Sequence, residues 1–374
     1  MKKVLLTATV QSHICQFHRP LVEMLKECGD VEVHVAAKNN LDQKPGLKLD
    51  FADRVFNVPF ERSPFNLRNI RAFFKLKKII ESNEYDYIHC NTPVGGILTR
   101  LAAIKTRKCN NTKVIYTAHG FHFYDGAPLL NWLIYYPFEW FFSHFTDKLI
   151  TINNEDYALA KKKFHAKEVY YVPGVGVDVD KFASVQIDRA TKRREIGIPE
   201  DAILLLSVGE LNDNKNHQVI IKALAKLNNP NIHYAIAGGG GKKDYLLDLA
   251  QQLGVADQFH LLGYRRDIAE INHCADVFCF PSIREGLPVS LMEASAVGLP
   301  PIAADNRGTR DIVENGINGL LLQHDSVDEF ANAINMIISS REIYDSFSKA
   351  SKEHMAKFSV KNVMSIMKSL YWSK

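Results

Sequence analysis

Two carboxylates, Glu285 and Glu293, stand eight positions apart in the run Arg284-Glu285-Gly286-Leu287-Pro288-Val289-Ser290-Leu291-Met292-Glu293. The apolar run Ala275 to Phe280 reads as a strand, so Glu285 falls on the loop beyond a strand's carboxyl end, where open α/β sheets bind ligands. Proline suits a first helical position, so Pro288 is expected to open a helix. The amides of Leu287, Val289 and Ser290, with the positive helix end, would then face an anion. Glu293, a turn further on, can accept two hydrogen bonds from a vicinal diol such as ribose. Together these groups suit a phosphate ester that bears a diol, as a nucleotide-sugar does.

A second cluster is Ser207-Val208-Gly209-Glu210-Leu211-Asn212-Asp213-Asn214-Lys215-Asn216-His217, a strand end, a polar loop and the start of a helix. Lys215 there is placed to reach a diphosphate and offset charge that develops as it departs. Most loop lysines are merely solvated; this one shares its half of the chain with Glu285. A third cluster is Tyr116-Thr117-Ala118-His119-Gly120-Phe121-His122-Phe123, again a strand end. The glycine lets backbone and imidazole come close to a sugar, and His119 is the candidate to touch it. The competing reading is a histidine satisfied within its own domain. His119 and His122 could also suggest a metal, but no third ligand has recognisable spacing, and Asp178-Val179-Asp180 falls in an expected linker. The expectation is no metal.

Those loops need elements to hold them. The chain has 374 residues, 46% hydrophobic and 24% charged, an ordinary globular composition long enough for two cores. Six scattered cysteines without Cys-x-x-Cys spacing argue against a disulfide framework or structural zinc and fit a reducing cytoplasm. The apolar run after Met1 is short and passes into Gln11-Ser12-His13, so it reads as a buried strand rather than a signal peptide. Strands are expected near residues 3–9, 31–36, 54–58, 86–90, 113–118, 147–152 and 168–172, then 203–209, 232–237, 258–262, 276–280, 300–303 and 319–321, with helices between. That alternation predicts α/β architecture with two doubly wound Rossmann-like domains facing a cleft. The expected boundaries are 1–172, completed by a C-terminal helix 355–374; a linker 173–182; and 183–354.

The net charge of +4 is uneven. Residues 1–172 hold 24 Lys+Arg against 17 Asp+Glu, and residues 173–374 hold 22 against 25. A basic first half suits an anionic surface or acceptor, although surface lysines vary by chance as well. Leu129 to Phe145 is nearly apolar but too short to span a bilayer, which needs about 20 residues. It reads as a buried or lipid-grazing helix. Asn66 to Ile80 places Leu67, Ile70, Phe73, Phe74 and Ile80 on one side and Arg68, Arg71, Lys75 and Lys78 elsewhere, as an interfacial helix or a sheet-packed surface helix would. Any membrane contact is therefore expected to be peripheral.

The chain resembles the family 4 glycosyltransferases of GT-B fold. The resemblance rests on Glu285 to Glu293 as a Glu-x7-Glu motif, on His119-Gly120, on Lys215, and on Gly174 to Phe182 as an interdomain segment. Asn91-Thr92-Pro93-Val94-Gly95-Gly96, Gly126-Ala127-Pro128 with Asn131-Trp132, Thr151-Ile152-Asn153 and Asp305-Asn306-Arg307-Gly308 are similar to its bacterial exopolysaccharide and capsule branch. The resemblance implies a retaining, metal-independent transferase with a UDP-sugar co-substrate and no cofactor. It implies that Glu285 binds the donor sugar, Glu293 the ribose, and Lys215 with the main-chain amides of Gly286, Leu287 and Val289 the diphosphate, with Gly209 and Pro288 also lining the donor site. Arg265 should lie near the base or phosphates. Glu210 stands where many relatives have arginine, so the diphosphate leans on Lys215 and on Arg265 or Arg284, while Glu210 is free to meet a sugar or acceptor.

The first domain is expected to hold the acceptor. Its loop after the first strand offers His13, His18 and Arg19, and Asn91, Gly95 and Gly96 open another helix; His122 lies nearby. The expected acceptor is an undecaprenyl-diphosphate-linked sugar and the expected donor a UDP-N-acetylhexosamine. The expected location is the cytoplasmic face of the bacterial membrane, beside other polysaccharide-assembly enzymes, with no role for nucleic acid. A hydrolysing UDP-sugar epimerase of the same fold and a non-catalytic assembly subunit remain alternatives. A nicotinamide-dependent dehydrogenase fits less well, because Gly238-Gly239-Gly240-Gly241 lacks the position and the acidic partner of a dinucleotide fingerprint.

Overall fold

A computed structural model describes residues 1–44 and 46–372, so the last two residues of the expected C-terminal helix lie outside the described residues. The chain divides into two units, Met1–Val175 with Lys361–Lys374, and Gly176–Val360. Each is described by itself.

The first unit is built on β1 (Lys2–Val10), β2 (Val31–Lys38), β3 (Arg54–Asn57), β4 (Tyr87–Asn91), β5 (Lys113–Ala118), β6 (Lys148–Thr151) and β7 (Glu168–Tyr171). Their order across the sheet is β3-β2-β1-β4-β5-β6-β7, with parallel pairing throughout. A strand buried on both faces must be apolar at successive positions, and Val4, Leu5 and Leu6 of β1 are all at or near zero exposure. Each such side chain contributes roughly 1.5–3 kcal/mol through burial. The helix Val360–Trp372 completes this core: Val363, Met367, Leu370 and Tyr371 pack with Val4, Leu6 and Ile115. Tyr371 also caps a polar position, with its hydroxyl 2.8 Å from His89 Nδ1.

The second unit holds β8 (Ile203–Val208), β9 (Ile232–Ala237), β10 (Phe259–Gly263), β11 (Val277–Phe280), β12 (Pro301–Ala304) and β13 (Leu320–Leu322), in the order β10-β9-β8-β11-β12-β13 and again parallel. Gly176 to Phe182 is part of this unit rather than a free linker. Val177 bridges Ser359, and the helix Val179–Ala183 packs on the helix Val289–Val297. The return to the first unit starts at Lys361, later than 355, because Met355 and Phe358 are buried within the second unit.

Strand order reverses between β1 and β4 in one sheet and between β8 and β11 in the other. Such switch points leave a crevice beyond the strands' carboxyl ends. The loops singled out by their chemistry follow β1, β4, β8 and β11, with the His119 loop next door on β5. Among the described residues, no helix is long and apolar enough to cross a membrane.

Candidate functional site

In the second unit the switch point joins two loops. Asn214 Nδ2 donates to the Arg284 carbonyl at 3.0 Å, and the Ile283 amide donates to the Asn214 carbonyl at 2.8 Å. This clamp brings Lys215 against Glu285, with Nζ 2.7 Å from Oε1 and both side chains largely buried. Lys215 also lies 4.8 Å from the centroid of the Phe280 ring. Gly209 makes room for it: a Cβ there would sit 3.1 Å from Lys215 Cε. The glycine run Gly238–Gly241 has a similar packing reason, since a Cβ on Gly238 would fall 1.8 Å from the Gly209 carbonyl oxygen and one on Gly240 2.5 Å from that of Leu211. These glycines bring two strand-end loops together.

The Glu285 loop is braced from the β12 side. Asn306 Nδ2 donates to the Ser282 carbonyl at 2.9 Å, and Arg307 Nε donates to the Glu285 carbonyl at 3.3 Å. Gly308 abuts Gly286, where a Cβ would meet the carbonyl oxygen at 2.8 Å. Asn306 caps its own short helix Arg307–Arg310 with a reciprocal capping box to Thr309. In the sequence Asn306, Arg307 and Gly308 form a string with no evident task; their bracing role becomes visible only when β11 and β12 pair.

The helix after the loop starts at Val289, with Pro288 as its N-cap and not its first helical residue. No side chain caps it, so the positive helix end is offered to a ligand. Leu287 and Pro288 are buried at its base. Glu293, one turn in, has its carboxyl pushed up to about 7 by burial, against a smaller opposing pull from Lys181. Glu210 is exposed at the loop's edge. Arg265 is not presented as a free cation: Nε donates to Asp267 at 2.8 Å and Nη2 to Glu195 at 2.7 Å. Lys192 joins the same network through Asp267, Glu270 and Glu195, so this arginine's first observed task is to hold structure.

In the first unit a cavity of about 510 Å³ opens beyond β1, β4 and β5, lined by Thr9, His13, Thr92, His119, His122 and Glu139 among others. His119 Nε2 is 3.0 Å from Asn91 Oδ1, and its ring meets that of His13 at 4.9 Å between centroids. His18 is buried behind them, its ring centroid 6.2 Å from that of His119. His122 stacks on Tyr135 at 4.5 Å. Arg19 is turned elsewhere, bonded to Asp50 at 2.5 Å and laid over the Phe51 ring. Gly95 and Gly96 are buried packing positions: a Cβ on Gly95 would sit 2.8 Å from Thr92 Oγ1, and one on Gly96 2.6 Å from the Tyr116 ring.

One wall of this cavity was not legible in the sequence. The helix Leu129–Ser143 buries Glu139 while Leu129, Leu130, Leu133, Trp140 and Phe141 face outward. Glu139 Oε2 accepts from Arg100 Nη2 at 3.0 Å and Oε1 from the Tyr116 hydroxyl at 2.9 Å. Arg100 lies 4.0 Å over the Tyr116 ring. Burial and the Glu139 charge push the Tyr116 hydroxyl well above its ordinary range. Glu139 reads in sequence as an interruption of an apolar run; its partners lie 39 and 23 residues upstream.

The paired parallel sheets and the loops at their switch points place the chain in a class that comparison with known proteins makes explicit. The family description "Glycosyl transferases group 1" matches residues 188–354, and "Glycosyl transferase 4-like" matches residues 3–153. The chain is 39% identical over 374 residues to EpsD of Bacillus subtilis (strain 168), covering 99% of this chain and 96% of that one, and it belongs to this glycosyltransferase family. It is also 30% identical over 294 residues, 76% of this chain and 75% of the relative, to the UDP-Gal:alpha-D-GlcNAc-diphosphoundecaprenol alpha-1,3-galactosyltransferase of Escherichia coli. Anabaena HepE, solved with UDP and glucose, shares the fold with a TM-score of 0.80 at 19% identity over 100% of both chains. WaaG, a glycosyltransferase involved in lipopolysaccharide biosynthesis, does so with a TM-score of 0.75 at 17% identity, covering 99% of this chain and 100% of that one. The fold is GT-B.

Proposed function

We propose that the chain transfers an N-acetylhexosamine from its UDP-sugar to an undecaprenyl-diphosphate-linked sugar, with retention of configuration, during exopolysaccharide assembly. The observation that supports this most directly is the Lys215–Glu285 pair at the β8/β11 switch point. A bound diphosphate would draw the Lys215 ammonium away from Glu285. The freed carboxylate then accepts hydrogen bonds from hydroxyls of the donor sugar, while ionised Glu293 accepts from the ribose. As the anomeric C–O bond to the diphosphate breaks, charge grows on the departing phosphate, where Lys215 and the Val289–Val297 helix end offset it. The acceptor hydroxyl forms the new C–O bond on the face the phosphate leaves and passes its proton to a phosphate oxygen. This step needs no carboxylate nucleophile and no metal. His119 would touch the transferred sugar, and the His122 cavity would receive the acceptor.

Two features favour a lipid-linked acceptor. The E. coli relative is named for a diphosphoundecaprenol substrate. The cavity mouth is flanked by exposed apolar side chains, Phe65 from one segment and Phe138 from another, with Arg62 beside them. The helix Arg68–Asn83 buries Ala72, Leu76 and Ile80 on the sheet yet exposes Ile70 and Phe74 among lysines and arginines. That combination suits peripheral contact with an anionic leaflet. A UDP-galactose donor is the second reading, because that relative's name specifies it.

The test is UDP release from a panel of UDP-sugars, with and without a lipid-diphosphate-linked sugar. Release that needs the lipid acceptor and is fastest with a UDP-N-acetylhexosamine is expected. Release without any acceptor would point instead to hydrolysis, and none with any donor would overturn the transferase reading.

A further inference from the structure

His13, His18 and His119 come from separate stretches, two on the segment after β1 and one after β5, and meet beyond the strand ends. One ring nitrogen from each lies within 4.8 Å of those of the other two. Nε2 of His13 and Nε2 of His18 are buried with no hydrogen-bond partner. Buried polar atoms without a partner are rare in folded proteins, so two side by side call for a ligand. A fourth neighbour, His89, is excluded as a ligand because both its nitrogens are engaged, by Tyr371 and Thr117.

The outer shell is in place as well. Asn91 Nδ2 points to the Thr7 carbonyl at 3.5 Å, which turns Oδ1 toward His119 and makes Nε2 of that ring the donor. Its remaining lone pair is on Nδ1. Metal-bound histidines characteristically give their second ring N–H to such an acceptor.

We propose that His13, His18 and His119 form a three-imidazole site for a divalent transition-metal ion of the zinc class, with its fourth position open to the cavity lined by His13 and His119. Zinc–nitrogen bonds of about 2.0–2.1 Å in tetrahedral geometry set the ligand atoms roughly 3.3 Å apart, so modest side-chain rotation must draw the three rings inward. His18 sits at the junction of two helices, Gln11–Phe17 and Arg19–Glu27, where it caps both and its backbone is non-helical. The ion is not a participant in the transfer chemistry. It occupies His119, so on the role proposed above for that residue, metal binding inhibits transfer.

Chelator-treated full-length protein titrated with Co²⁺ is expected to develop tetrahedral visible absorption at one equivalent, displaced by Zn²⁺. His18→Gln and His13→Gln should each weaken Co²⁺ binding by more than about 100-fold, and Asn91→Ala by roughly 10–100-fold. His165→Gln, an imidazole remote from the cluster, should leave binding unchanged. Thermal melts without metal keep misfolding separate from ligand loss. Absence of the absorption, or its persistence in the His13/His18 double variant, overturns the site. Co²⁺ binding with Zn²⁺-insensitive UDP release would uphold the site and overturn the inhibitory consequence and, with it, the sugar contact assigned to His119.

Discussion

A carboxyl held near neutrality makes Glu293 the residue through which pH should reach donor binding. Only the ionised form accepts both hydrogen bonds from a diol, so KM for the UDP-sugar should rise about tenfold between pH 8 and pH 6. Glu293→Gln should flatten that limb in steady-state kinetics, at a higher KM throughout. The stability effect runs the other way. The folded-state value lies above the ordinary one of 4.5, so the favourable contribution is fully present below that value and is lost as pH rises through about 7. Thermal melts at pH 8 should therefore show Glu293→Gln more stable than the parent, by roughly 3 kcal/mol. Lys215 offers a contrasting case: Lys215→Ala removes the cation at the leaving diphosphate and should lower kcat about 10²–10³-fold, as read by UDP release. It also strands Glu285 in a largely buried position, so its melting temperature should fall too.

Elements decide how well those residues are aimed. The β12 segment supports the Glu285 loop through Asn306, Arg307 and Gly308, none of which need touch substrate. Gly308→Ala places a methyl against the Gly286 carbonyl and backbone, so it should lower thermal stability by about 1–3 kcal/mol and kcat/KM about 10²-fold, the latter because displacement of a reacting group by about 1 Å suffices for such a loss. The helix Leu129–Ser143 tests a different dependence. Glu139→Ala leaves Arg100 buried without its anion and should cost about 3–5 kcal/mol in denaturant titration. Much of this scale was legible in the sequence. All thirteen strands among the described residues fall where the sequence placed them, and the central ones, covered on both faces, read as continuous apolar runs. The connections between distant loops were not legible. Nothing in the spacing of Arg100, Tyr116 and Glu139 announces a buried ionic contact, Arg265 looks like a phosphate ligand until Glu195 is found beside it, and His13 and His119 converge only because β4 and β5 lie on the same side of β1.

At the scale of the whole molecule, two outward apolar faces belong to the same unit, one on the helix Arg68–Asn83 and one on Leu129–Ser143. Phe74→Asp and Leu133→Asp should each weaken cosedimentation with anionic vesicles by about tenfold or more, since each forfeits the burial of a large apolar side chain. Added salt should weaken binding of the parent further through the neighbouring lysines and arginines. Turnover on a water-soluble acceptor should be unaffected by either change.

The helix Val360–Trp372 gives the chain an order of assembly. The first unit's core lacks Val363, Met367 and Tyr371 until the whole second unit has been synthesised. On the ribosome, the later half is thus free to reach its final packing while the earlier half still displays apolar surface and leaves His89 Nδ1 without its Tyr371 partner. Newly made chains should spend that interval as chaperone clients, and the helix Val360–Trp372, made after the second unit, rather than the sheet made before it, should time the appearance of protease resistance in the first unit.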